Sequence, residues 1–202
     1  MKTNPILYRI CRPVFTFFFK VIFHPEIENK EFIPKTGRCV LAGNHKHALD
    51  PILVDISTRR SIHTLAKKDL QDGMFGFFFK AVGTIPVDFT KEKNHEAMVS
   101  AVECLNKDCL VNLSPEAGRN YTQEILLPFK MGAVVMAQRT HSPVVPYSIT
   151  GDYRLFHNNL KICFGEPIDF SGMEPERANE ILFDKIKQLL IRNREDGSAI
   201  KR

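Results

Sequence analysis

The chain has 202 residues, 44% of them hydrophobic and 25% charged, a balance that describes one folded domain and excludes a disordered or low-complexity chain. Its net charge of +5 is concentrated at one end: residues 1–25 hold Lys2, Arg9, Arg12 and Lys20 and no acid, leaving 24 basic against 23 acidic residues in the other 177. So balanced a body excludes a nucleic-acid-binding domain, which would spread basic surface across its fold.

Residues 5–23 read PILYRICRPVFTFFFKVIF. Arg9, Arg12, Thr16 and Lys20 fall on one helical stripe. The other positions are almost all apolar, including Phe15, Phe17, Phe18, Phe19 and Phe23. Charges interrupt the run too often for a transmembrane helix, and no small-residue cleavage site marks a signal peptide. The pattern predicts an amphipathic helix lying in a membrane interface, with residues 1–24 an anchoring segment and 25–202 the folded domain. The same helix docked on the protein's own core is the alternative. Pro13 is expected to kink or split it.

Short apolar runs then alternate with helical patterns. Strands are expected at residues 39–43, 62–66, 84–87, 109–113, 144–149 and 160–164. Helices are expected at 48–58, 69–81, 92–106 and 129–140, followed by a last amphipathic helix carrying Ile181, Leu182, Ile186, Leu189 and Leu190. A polar tail is expected over 193–202. The alternation predicts an α/β fold: a mostly parallel central sheet flanked by helices, with chemistry at the carboxyl edge of the strands. Cys11, Cys39 and Cys163 lie in apolar runs and no C-x-x-C occurs, which reads as small hydrophobes in a reducing compartment.

Two loops at that edge hold the candidate chemistry. The first is Asn44-His45-Lys46-His47-Ala48-Leu49-Asp50. His45 and Asp50 are five apart across a strand-to-helix turn, so the carboxylate can hold one ring nitrogen while the other meets a substrate as general base. A surface loop of polar turn residues is the plain alternative. A metal held by His45, His47 and Asp50 is a further one, but the other histidines show no ligand spacing, and no metal site is expected. The second loop is Ser114-Pro115-Glu116-Ala117-Gly118-Arg119. An acid, a glycine and an arginine suit an anion site, since a guanidinium fork matches phosphate and glycine lets backbone N–H groups approach a ligand. An ordinary turn with a surface ion pair is the alternative there. Lys67 and Lys68 add positive charge at the same edge, residues 83–88 end on Asp88, and residues 74–79 form an aromatic patch that reads as core or as contact with an acyl chain.

These blocks in this order resemble the glycerophospholipid acyltransferase family, specifically the 1-acyl-sn-glycerol-3-phosphate (lysophosphatidate) acyltransferases. The Asn-His-x-x-x-x-Asp block is met by Asn44, His45 and Asp50. The Gly-x-Ile-x-x-Asp-Arg block is met by Gly83, Ile85 and Asp88, with Phe89 in place of the arginine. The Pro-Glu-Gly-Thr-Arg block is met by Pro115, Glu116 and Arg119, with Ala117 and Gly118 in place of Gly-Thr, and the Val-Pro strand by Val145 and Pro146. Lys67 matches a family lysine.

The resemblance implies acyl transfer from acyl-CoA or acyl-carrier protein to the sn-2 hydroxyl of lysophosphatidate, giving phosphatidate. His45 would be the base and Asp50 its partner, and no bound cofactor or metal would be needed. Asn44, Lys67, Asp88, Glu116, Gly118 and Arg119 would line or hold the acceptor, with Arg119 and Lys67 on its phosphate. The expected partners are the membrane lipid, the thioester donor and the membrane surface, with the protein peripheral or monotopic on the cytoplasmic face. A different lysolipid acceptor, or a non-catalytic lipid-binding relative, is the alternative.

Overall fold

A computed structural model describes residues 5–68, 83–88 and 94–199. The expected helix over 69–81, the aromatic patch within it, and Phe89 with its neighbours Lys91 and Lys93 lie outside the described residues.

The first helix, α1 (Pro5–Phe23), runs through Pro13 without dividing there. A proline inside a helix removes one backbone bond at a cost of about 3 kcal/mol. Docking on the body offsets that cost. Arg12 sits against the loop after α2 (Asp50–Ile56), where its guanidinium donates to the carbonyls of Asp55, Thr58 and Arg59 and pairs with the Asp55 carboxylate at 3.2 Å. Phe19 is buried in the core beneath. The alternative reading, a helix docked on the protein's own core, is what the described contacts show for one face of this segment. Val14, Phe17, Phe18 and Val21 stand exposed on another.

The strands are β1 (Glu26–Glu28), β2 (Cys39–Gly43), β3 (Ile62–Lys67), β4 (Ile85–Val87), β5 (Leu110–Leu113), β6 (Val144–Thr150) and β7 (Lys161–Phe164). They form one sheet in the order β1-β7-β6-β2-β5-β3-β4. Every pairing is parallel except β6 with β7. The expected mostly parallel sheet is therefore present, made mixed by that one pair. β1 has no counterpart in the sequence reading, because its two acids disguise a three-residue edge strand. They face Lys161 on β7, whose ammonium lies 2.8 Å from Glu28.

Residues of the central strands are buried on both faces, which is why β2 and β6 read as nearly continuous apolar runs. The period of two sorts them into two cores. Val40, Ala42, Val111 and Val144 face α3 (His95–Asn106), α4 (Gly132–Thr140) and α5 (Pro175–Ala199). Cys39, Leu41, Tyr147 and Ile149 face α1 and α2. Cys39 and Cys163 are buried, and burial pushes the Cys39 thiol up to about 12, as suits a small hydrophobe.

The expected polar tail over 193–202 is corrected in one respect: α5 continues to Ala199. Asn193 extends the inner stripe set by Ile186 and Leu190 and donates to the Ser148 hydroxyl at 2.7 Å, so a polar side chain belongs to the packed face.

Candidate active site

β2 delivers its last residue, Gly43, against the ring of Tyr147. A Cβ at position 43 would lie 2.2 Å from that ring, so only glycine lets the two strands close here. Tyr147 donates to the Asn112 side chain at 3.0 Å, fixing the ring beneath the chain's exit from the sheet. Asn44 follows. Its amide donates to the carbonyl of Ile149 at 3.0 Å and accepts from the N–H of the same residue at 2.7 Å. Its side chain thus clamps β2 to β6 and turns the chain toward the cleft.

His45 comes next. Its Nδ1 lies 2.8 Å from Oδ2 of Asp50, the first residue of α2. The Asp50 carboxylate is 3% exposed and accepts three further hydrogen bonds. The N–H groups of Lys46 and His47 donate to Oδ2 at 2.7 and 2.8 Å, and the hydroxyl of Tyr153 donates to Oδ1 at 2.6 Å. The two amides belong to the turn that leads into α2, and the helix N-terminus favours the negative charge. Asp50 therefore fixes the ring and the turn together, and Nε2 is the ring nitrogen left for the cleft. A carboxylate that holds one ring nitrogen and leaves the other open is an arrangement able to serve general-base chemistry.

Glu116, at the start of the loop after β5, holds the other side of His45. Its Oε1 accepts from the His45 N–H at 3.0 Å, and its Oε2 from the Leu127 N–H at 2.8 Å. Burial raises its carboxyl above the ordinary glutamate value, against the lowering effect of these two amides. Its role in the structure is to tie the histidine loop to the 114–127 segment. Ala117 takes a left-handed φ of +54°, a bend that sends Gly118 and Arg119 outward. Arg119 is exposed, its guanidinium over the Tyr121 ring at 5.8 Å.

A cleft of about 280 Å³ opens at this edge, lined by Asn44, His45, Glu116, Asn120, Thr150 and Arg194 among others. Arg119 and Gly118 are on the loop beside it rather than in its wall. Lys67 ends β3 and Asp88 follows β4, on the adjacent pair of strands. The Asp88 N–H donates to Asn94 at 2.9 Å. Asn44, His45, Asp50 and Glu116 are thus one bonded constellation. Lys67, Asp88, Gly118 and Arg119 share its edge of the sheet, outside the lining of the cleft.

Two residues of this region escaped the sequence reading. Tyr153 gave no signal there, because its partner Asp50 lies 103 residues away in sequence. Arg194 would have been found by continuing the α5 periodicity through Asn193. His47 does not join the pair: its Nδ1 accepts from the Leu49 N–H and its ring stacks on Tyr153 with centroids 4.6 Å apart. Among the described residues no group of three or more His, Cys, Asp or Glu could share a metal ion.

The profile of the family described as "Acyltransferase" matches residues 24–150, more than half the chain, and takes in both site loops. The chain belongs to the acyltransferase family. Relatives of this acyltransferase include the 1-acyl-sn-glycerol-3-phosphate acyltransferase of Bacillus subtilis, 26% identical over 91% of this chain and 96% of that protein. The enzyme of the same name from Saccharomyces cerevisiae is 28% identical over 94% of this chain and 64% of its own length. In fold it is similar to the crystal structure of the 1-acyl-sn-glycerophosphate acyltransferase of Thermotoga maritima. There the TM-score is 0.75 at 20% identity, covering 95% of this chain and 83% of that one.

Proposed function

We propose that this acyltransferase moves a fatty acyl group from a thioester, acyl-CoA or acyl-carrier protein, to the sn-2 hydroxyl of 1-acyl-glycerol 3-phosphate, forming phosphatidate. The observation that carries this reading is the 2.8 Å contact between His45 and buried Asp50 at the mouth of a cleft, inside the matched acyltransferase region. The names of the relatives supply the acceptor.

In the reaction, Nε2 of His45 takes the proton of the acceptor hydroxyl as its oxygen attacks the thioester carbonyl. The new C–O bond forms, the C–S bond breaks, and the imidazolium returns its proton to the departing thiolate. Asp50 holds the ring's tautomer and balances the transient positive charge. General-base assistance of this kind is typically worth about 10²–10⁴-fold. The thioester is already activated, so the chemistry needs neither a bound cofactor nor an acyl-enzyme. Arg119 and Lys67 take the acceptor's phosphate, Gly118 offers backbone N–H, Asn44 shapes the wall, and Asp88 meets the acceptor from the adjoining strand pair.

The exposed apolar face of α1 supports the reading of a peripheral or monotopic protein on a bilayer, where an amphipathic acceptor resides. None of the described helices is long and apolar enough to cross a membrane. Phe89 standing where the family pattern has an arginine favours a second reading, in which the acceptor carries a different head group. A thioester-consumption assay separates the two, comparing lysophosphatidate, glycerol 3-phosphate and zwitterionic lysolipids. Thiol release fastest with lysophosphatidate is expected. Faster release with a zwitterionic lysolipid would shift the acceptor. No release with any of them would leave a lipid-binding protein.

A further inference from the structure

We infer that Leu155 and Phe156, in the loop after β6, form a second lipid-contacting site at the carboxyl end of α1. The inference rests on the reading that α1 lies on a bilayer, and adds a contact that the helix pattern does not contain.

Leu155 is 63% exposed and Phe156 70%, values matched in the described body outside α1 only by Tyr121 among large hydrophobics. Phe156 also holds a left-handed φ of +59°, which is costly for a bulky side chain. A backbone bond retains that conformation: the Phe156 N–H donates to the carbonyl of Ile22 in α1 at 2.6 Å. The loop is thus tied to the helix while its two apolar side chains stay in solvent.

Tyr153, three residues before Phe156, packs against the Phe19 and Phe23 rings at centroid distances of 6.3 and 5.8 Å and bonds to Asp50. The loop is therefore anchored on its inner side and apolar on its outer side. Its neighbourhood suits an anionic leaflet. Lys20 and Arg154 are exposed on the helix and the loop, and the loop's acid, Asp152, is paired with Lys46 at 3.1 Å. Apolar tips accompanied by basic side chains match a membrane surface, where aromatic burial and attraction to acidic head groups add. Such a contact sets the cleft, whose wall includes Thr150 and Gly151, close to the lipid plane.

The chain has no tryptophan, so an introduced indole reports its own surroundings alone. Phe156→Trp and, as a reference on the helix, Phe17→Trp are each mixed with vesicles of phosphatidylglycerol and phosphatidylcholine. Sedimentation is measured beside fluorescence. The expected result is a blue-shifted emission from both variants, quenched by lipids brominated on the acyl chain. A companion variant, Leu155→Ser with Phe156→Ser, should lower vesicle partition roughly tenfold, about 1.4 kcal/mol, with the melting temperature retained. Sedimentation with an unshifted, unquenched indole at position 156, or less than a threefold loss in the double variant, overturns the loop contact and leaves α1 as the anchor. Failure of every form to sediment overturns the bilayer reading and this contact with it.

Discussion

Replacing Asp50 with asparagine removes one charge while keeping the shape of the site. The amide oxygen can occupy the Oδ2 position and still accept from His45, Lys46 and His47, whose donors lie 2.7–2.8 Å away. The amide nitrogen then faces the Tyr153 hydroxyl, which can turn to accept. The fold should persist, and what disappears is the counter-charge for a protonated His45. At a separation of about 4 Å and an effective dielectric constant near 20, that attraction is worth about 4 kcal/mol. The His45 side chain is 28% exposed, so solvent screens part of it. Taking roughly half gives about 2 kcal/mol, or about 30-fold in kcat. The assay is thiol release at saturating acceptor, with a thermal melt alongside. An Asp50→Asn enzyme that keeps more than a third of wild-type kcat would refute the assigned pair.

Three other outcomes are expected. Tyr153→Phe keeps the ring stack on His47 and loses the 2.6 Å bond to Oδ1, so kcat should fall about tenfold, the scale of one hydrogen bond to a charged group, with KM held within twofold. Steady-state kinetics check this, and an unchanged kcat would refute it. Gly43→Ala forces the Tyr147 ring aside and should cost about 1–3 kcal/mol in a denaturant titration, because overpacking at this point also strains the Asn112 bond. Glu116 gives a pH signature. Its folded-state carboxyl titrates above the unfolded value of 4.5, so between the two the folded protein holds more protons and its stability falls as pH rises through that window. Glu116→Gln should flatten this slope in melts taken from pH 4.5 upward. The same variant presents an amide N–H₂ to one of the two backbone donors it replaces, so it should also melt lower at every pH.

Much of the site was readable because its parts are local. His45 and Asp50 meet across a single turn, and the spacing of five was enough to pair them. The central strands were equally legible, since burial on both faces leaves a continuous apolar run. What could not be read depends on distant closure. Tyr153 reaches Asp50 only because the loop after β6 folds back over the start of α2. Glu116 stood out as an acid beside a glycine and an arginine. That both its oxygens would be taken by backbone amides from two loops was hidden. Asn44 likewise turns its amide on Ile149, a bond across 105 residues of sequence. The end of α5 was misjudged for another reason: Asn193 is polar, but Ser148 supplies the partner that lets it be buried.

The Arg12 clamp has a consequence for how substrate arrives. Helix α2 starts at Asp50, and the guanidinium of Arg12 grips the carbonyls at its far end. At the near end, Phe19 and Phe23 hold Tyr153, which holds Asp50. Both ends of one seven-residue helix are thus fastened to α1, a span of about 10 Å. Helix α1 and the His45–Asp50 pair are linked at both ends of α2. On a bilayer, the cleft would be a mouth at fixed height and tilt, unable to dip toward a buried lipid. Acceptors would reach it by sliding in the leaflet and rising to meet it. Turnover would then follow the surface density of the acceptor rather than its bulk concentration.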